Sequence, residues 1–438
     1  MKRKIEQVLS EWKNTPEHNP LVLKGCRQCG KTYSVMKFAE QNYKHVVYIN
    51  FFENPNYADI FGGAMNIDTI CGYITAAMGP NAVLEPNNSC IILDEIQECP
   101  NARTALKFFK TDGRYDVICT GSLLGIQGYK DNVVSVPVGY ETIVDMYPMD
   151  FEEFLWAAGV SPETIQQVAQ CKENIEPVPN VLHEVMKAKL REYVVVGGMP
   201  AVVKEYIRTA QFGKVLEMQR GIVNGYRDDM IKYAAKEDKG KIRECFDSIP
   251  KQLAKENKKF QYSLVKKKGT ASTYAGSIQW IEDAGIIRRC YNTTITELPL
   301  DGNAIDDTFK IYMADIGLFV SMLEDGTQFD ILQGRMGAYK GAIYENLVAD
   351  ILGKAGRKLY YFRKDSGLEI DFLMRYKGEC VLLECKAKSG DTKSARTILK
   401  HPEKYHVNQE IKLGDYNVGK VDAITTLPLY MAFLLREF

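Results

Sequence analysis

The run LVLKGCRQCGKTY at residues 21–33 sets Gly25, four further residues and then Gly30-Lys31-Thr32 in the order G-x-x-x-x-G-K-[ST]. That order describes a phosphate-binding loop. Gly25, Cys26, Arg27, Gln28, Cys29 and Gly30 would turn their backbone N–H groups toward a phosphate. Lys31 would supply a point charge for the β- and γ-phosphates, and Thr32 a hydroxyl for Mg²⁺. A second group lies in CIILDE at residues 90–95: an apolar strand ending in Asp94, placed to hold Mg²⁺ directly or through water, and Glu95, placed to polarise the water that attacks the γ-phosphate. The third group is C-terminal. Glu345 lies on a helix, Asp371 opens a strand, and Glu384 and Lys386 alternate along the next strand with Cys385 facing the other way. Asp371 and Glu384 could gather Mg²⁺ or Mn²⁺, with Lys386 orienting a nucleophile. This would be metal-assisted phosphodiester hydrolysis, with Glu345, Asp371, Glu384 and Lys386 as catalytic residues. A salt-bridged sheet face is the alternative for the same pattern.

The elements that must position these residues are legible around them. Residues 20–24 read as a short buried strand and residues 32–41 as the helix whose N-terminus would hold the phosphates. Residues 45–52 read as a second buried strand. Residues 116–122, DVICTGS, read as a strand beside the phosphate-loop strand, where Thr120 or Ser122 would sense the γ-phosphate; a plain strand exit has the same spelling. A last core strand is expected within residues 140–147. Alternating strand and helix predicts a parallel sheet covered on both faces.

Composition sets limits. The 438 residues leave room for several domains, and 45% hydrophobic with 26% charged residues is a globular balance. Lys+Arg and Asp+Glu number 56 each, so a nucleic-acid surface must be a local patch rather than a property of the whole chain. Eleven scattered cysteines, a charged amphipathic start and no bilayer-length apolar run imply reduced thiols, a cytoplasmic location and no membrane partner. Cys26 and Cys29 have the spacing of a redox pair but lie inside the phosphate loop.

GCRQCGKT, LDEIQECP, TGSLLG and MYPMDFEEFL, followed by YVVVGGMPAVV, KIYMADIGL and GAIYENLVADIL, resemble the prokaryotic AAA-type ATPases with a C-terminal domain of unknown function. The resemblance covers nearly the whole chain. It implies an AAA-type core over residues 1–150, a helical lid and linker over 151–235, a winged-helix segment over 236–300, and a restriction-endonuclease-like α/β domain over 301–438. Two positions depart from the family. Gly139 precedes Tyr140 where many members carry Gly-Arg, which leaves the arginine that completes hydrolysis unassigned. Cys29 stands where a small aliphatic is usual.

Helical spacing at Ile242, Phe246, Ile249 and Leu253 leads into a lysine-rich turn and a second helix. The duplex-binding reading puts Lys258, Lys259, Lys266, Lys267, Lys268, Arg288 and Arg289 on phosphates; an interdomain module with a solvated lysine face is the other reading. The expectation is an ATP-binding and ATP-hydrolysing protein, open to homo-oligomerisation, acting on nucleic acid, DNA rather than RNA. Its C-terminal domain either cuts under ATP control or only binds.

Overall fold

The computed structural model describes all residues except 123–138, 236, 256–257, 336, 387–392 and 438, together with the backbone but not the side chains of Tyr233, Ala338 and Lys386. The chain divides into two units, one built mainly from Lys2–Pro148 and the other from Met149–Glu282 and Ile286–Phe438.

In the N-terminal unit five strands form one parallel sheet: β1 (Leu21–Gly25), β2 (His45–Asn50), β3 (Ser89–Asp94), β4 (Asp116–Ser122) and β5 (Thr142–Met146), in the order β2-β3-β4-β1-β5. The expected strands therefore form. β3, flanked by β2 and β4, is buried along its whole length, as a strand covered on both faces must be. Helices Ile67–Met78 and Pro100–Asp112 supply much of the apolar cover, packing Ile70, Ile74, Leu106 and Phe109 against Val47, Ile91, Leu93 and Val117. β1 lies between β4 and β5, with Leu23 paired to Thr120 and Gly25 to Ser122. The chain leaving β1 thus emerges where the strand order reverses, the usual place for a ligand crevice in such a sheet.

The second unit is built on an eight-stranded mixed sheet, order β12-β13-β11-β10-β9-β8-β6-β7. Its strands are β6 (Ile287–Thr293), β7 (Ala304–Met313), β8 (Leu359–Arg363), β9 (Glu369–Tyr376), β10 (Glu379–Lys386), β11 (Glu410–Gly414), β12 (Gly419–Val421) and β13 (Ile424–Pro428). The sheet starts at Ile287, so a division at residue 300 runs through it: β6 pairs with both β7 and β8. The helices expected as an ATPase lid, from Phe151–Ala157 to Phe212–Tyr233, also fall in this unit.

Close backbone packing explains that grouping. Gly197 sits at φ +70°, and a Cβ there would lie 2.3 Å from Asp315 Oδ1 and 2.8 Å from Gly317 Cα; a Cβ on Gly198 would lie 2.0 Å from the Met149 carbonyl. Only glycine allows these segments to meet. The amide of Gly198 donates to Asp315 Oδ2 (2.7 Å), and the amide of Met149 donates to the Gly198 carbonyl (2.7 Å).

Helix Lys340–Lys354 is buried from Ala342 to its end. Its polar side chains therefore need partners from elsewhere. Asn346 exchanges two hydrogen bonds with the backbone of Met313 (2.8 and 3.1 Å). Lys354 Nζ reaches Asp350, Asp315 Oδ2, the Tyr193 hydroxyl and the Met149 carbonyl, all within 3.2 Å. This knot joins YVVVGGMP, KIYMADIGL and GAIYENLVADIL, three of the runs that carry the family resemblance.

Burial, with Asp315 nearby and against the pull of Lys354, pushes Asp350 up to about 7. The native state then holds this proton more tightly than the unfolded chain, whose Asp titrates near 3.9. Asp350's contribution is full below about pH 4 and is lost as pH rises through about 7. Denaturant unfolding at pH 4.5 and 8 should show wild type losing stability relative to Asp350→Asn at the higher pH. A pH-independent difference between the two would contradict the assignment.

Candidate functional site: a phosphate loop and a buried carboxylate

The loop after β1 closes at Gly30, whose φ of +95° sets the N-cap of helix Lys31–Asn42; Gln28 is also left-handed at +64°. Gly25 is required for a different reason. A Cβ there would lie 2.2 Å from the Met146 carbonyl, so glycine lets β1 lie against β5. Lys31 is buried and its Nζ donates to the carbonyls of Gly25 and Cys26, both at 3.0 Å, which holds the ammonium over the loop. Arg3, also buried, donates to the Cys29 carbonyl (3.1 Å) and the Tyr147 carbonyl (2.8 Å), tying the loop to the end of β5. Cys26 and Cys29 are buried thiols, not joined in a disulfide. A hydrogen bond from Cys26, opposed by burial and helped by Lys31 and Arg3, brings Cys29 down to about 6.

Asp94 is the hub. It is buried, and its carboxylate accepts hydrogen bonds from Thr32 Oγ1 (3.1 Å), Tyr48 OH (2.6 Å), Asn50 Nδ2 (3.3 Å), the Glu95 amide (3.1 Å) and Thr120 Oγ1. Phosphate loop, β2, β3 and β4 thus converge on one carboxylate. The sequence reading found Thr32, Asp94 and Thr120 but missed Tyr48, Asn50 and Arg3. The alternation Tyr48-x-Asn50 at the end of a buried strand was the available signal. Thr120 faces Asp94 in this arrangement. Glu95 takes φ +54°, a conformation that costs a non-glycine residue, and its carboxylate accepts from the Gln97 amide. Thr32 and Asp94 bring a hydroxyl and a carboxylate together, the oxygen donors that suit Mg²⁺, and these two would hold it.

The C-terminal constellation is assembled differently from expectation. Antiparallel pairing of Leu383 with Phe372 sets Glu384 and Asp371 on one face. Asp371 is the third residue of β9 rather than its first, and its Oδ2 accepts from the Cys385 amide (2.8 Å). Lys386 ends β10, and its side chain lies outside the described residues. Glu345 is surrounded by cations and donors: Lys258 Nζ on Oε1, the Tyr312 hydroxyl 3.0 Å and Lys310 Nζ 3.7 Å from Oε2. Lys310 also pairs with Glu369 at 3.0 Å. Burial pushes Glu345 up, but Lys310 and Lys258 outweigh it and hold the carboxyl below its usual range. Among the described residues no group of three or more His, Cys, Asp or Glu side chains is placed to hold a metal ion. The residues as arranged do not fit a divalent cation at Glu345.

Several cations expected on phosphates form ion pairs within the protein, some of them at its surface. Lys258 is on Glu345, Lys266 on Glu244 (2.9 Å), and Arg289 on Glu282. Arg288 packs against Gly353, where a Cβ would lie 2.2 Å from its Nε. Lys267 and Lys268 remain exposed in the turn between helices Tyr262–Val265 and Ala271–Asp283.

Residues 17–155 match the AAA domain family. This first third of the chain is an AAA-type P-loop ATPase domain, and it is the part to which ATP binding belongs. Residues 187–328 and 340–431 match two domains of unknown function, DUF8612 and DUF4143. No curated protein matches the chain. Among solved structures, the Walker-type ATPase PABY2304 of Pyrococcus abyssi is 14% identical, with 73% of this chain and 95% of that one covered at a TM-score of 0.42. The Aeropyrum pernix ORC2 protein is 12% identical, with 76% and 92% covered at 0.31; AMPPCP-bound DnaA from Aquifex aeolicus is 14% identical, with 64% and 86% covered at 0.28. At these scores the likenesses carry no functional argument. No helix among the described residues is long and apolar enough to cross a membrane.

Lys31→Ala should abolish ATP binding measured by calorimetry. Glu95→Gln should keep binding and lower ATP turnover by about 100-fold or more. Unchanged affinity in the first variant, or unchanged turnover in the second, would contradict these roles.

Proposed function

We propose that this protein is an ATP-controlled switch that binds nucleic acid and hydrolyses ATP, with a nuclease-like C-terminal unit that binds rather than cuts. Mg-ATP sits on residues 25–32, with Thr32 and Asp94 holding the cation and Glu95 polarising the attacking water. The observation that carries the choice is Glu345, a buried carboxylate already neutralised by Lys258 and Lys310 and hydrogen-bonded by Tyr312. Two ammonium groups lie on Glu345, a carboxylate that the cutting reading needs free for catalysis.

Support for nucleic acid comes from the order helix, basic turn, helix, strand over residues 239–293 and from the exposed Lys267 and Lys268, which suit phosphate contacts. That order is the one a winged helix uses, and duplex DNA is the favoured partner. A cytoplasmic setting and self-association belong to the same reading.

A second reading keeps Asp371, Glu384 and Lys386 as a Mg²⁺- or Mn²⁺-dependent nuclease gated by ATP. The shared face of Asp371 and Glu384 favours it, but it requires Lys258 to leave Glu345.

The test is a panel of duplex, branched and single-stranded DNA and RNA, with Mg²⁺ or Mn²⁺, with and without ATP, using wild type, Lys258→Met and Glu384→Gln. Nucleic-acid binding with ATP hydrolysis and no cleavage in any lane is expected. Wild-type cleavage that disappears in Glu384→Gln would overturn the switch in favour of the nuclease.

A further inference from the structure

A cavity of about 250 Å³ lies within the C-terminal unit, apart from the carboxylate cluster just described. One wall is the stripe Lys187, Leu190, Arg191 and Val194 of helix Asn180–Val196, spaced three and four residues apart and so on one helical face. The opposite wall includes Tyr344, Asp415 and Tyr430. Its floor is placed by topology. β11 and β13 run parallel and end in register at Gly414 and Pro428, so the cavity opens where two parallel strands stop. Such strand ends are where ligands enter open α/β sheets.

The charges of the lining do not cancel. Asp415 Oδ2 takes both Lys340 Nζ and the Tyr344 hydroxyl, each at 2.9 Å, so this carboxylate is already matched. Lys187 pairs with Glu184 at 3.2 Å. Tyr430 hydrogen-bonds His183 Nδ1 (2.8 Å), and burial pulls that imidazole down, toward its neutral form. Arg191 is half-buried and has no hydrogen-bond or ion-pair partner among the described residues. A guanidinium is a planar fork that suits carboxylate and phosphate oxygens, and Arg191 presents one to the cavity beside the apolar Leu190, Val194 and Leu429.

We infer that this cavity is a binding site for a small organic oxyanion, a phosphate or carboxylate carried on an apolar or aromatic body, with Arg191 taking the charged group. The volume has room for about eight waters, enough for a single-ring compound. The apolar wall and the tyrosine rings take the body; Asp415, held by Lys340 and Tyr344, disfavours a second negative charge beside it. The site is independent of the phosphate loop and of the reading of the carboxylate cluster.

The experiment is calorimetric titration of phenyl phosphate, benzoate and uncharged benzyl alcohol into the full chain with excess ADP, so that the phosphate loop does not compete. Binding of at least one anion and not of the alcohol is expected. Arg191→Gln should weaken that binding by about tenfold or more, the usual worth of a charge-assisted pair. Asp415→Asn should tighten it, an opposite sign that a merely structural role for either residue would not produce. Thermal unfolding of both variants reports that they fold. Neither anion binding, the alcohol binding equally well, or equal weakening in both variants would overturn the proposal.

Discussion

A carboxylate removed from water must be met by donors or cations, and each unit of this protein is organised by that demand. In the N-terminal unit Asp94 draws Thr32 from the phosphate loop, Tyr48 and Asn50 from β2, and Thr120 from β4. Any one bond is worth about 1 kcal/mol net, but the unmet carboxylate would cost several. The ends of β2, β3 and β4 meet at that carboxylate, beside the first residues of the helix that follows the phosphate loop.

The C-terminal unit answers the same demand with lysines. Asp315 and Asp350 are met by Lys354, and Glu345 by Lys258 and Lys310. The first solution is structural: it locks the Gly197-Gly198 turn and two other segments around a helix with no exposed face. The second neutralises Glu345 inside the protein, and the proposed binding role rests on that neutralisation.

What the sequence revealed follows the range of the interactions involved. The phosphate-loop spelling and the five parallel strands were legible because each rests on local pattern: glycine spacing and apolar runs. The reading of the loop itself needed one change, since Gly25 is there for contact with Met146 and not for a turn. Partners across long separations were not legible. Nothing near residue 258 announces that its lysine will meet Glu345, 87 positions later. Nothing in KIYMADIGL marks Lys310 as a partner of Glu345, and nothing in the lysine-rich turn marks Lys266 as a partner of Glu244. Family resemblance located the runs that matter, while only three-dimensional packing assigned Gly197, Gly198, Asp315, Asp350 and Lys354 to one buried knot.

In the proposed switch, nucleotide on the phosphate loop controls the grip on nucleic acid. Fluorescence anisotropy of a labelled duplex, titrated with the protein in a slowly hydrolysed ATP analogue and again in ADP, measures it directly. Affinities should differ by about tenfold between the two nucleotides, a coupling of about 1.4 kcal/mol, with a single nucleotide-independent affinity for Lys31→Ala. Equal affinity in both nucleotides for wild type, or no binding in either, would contradict it.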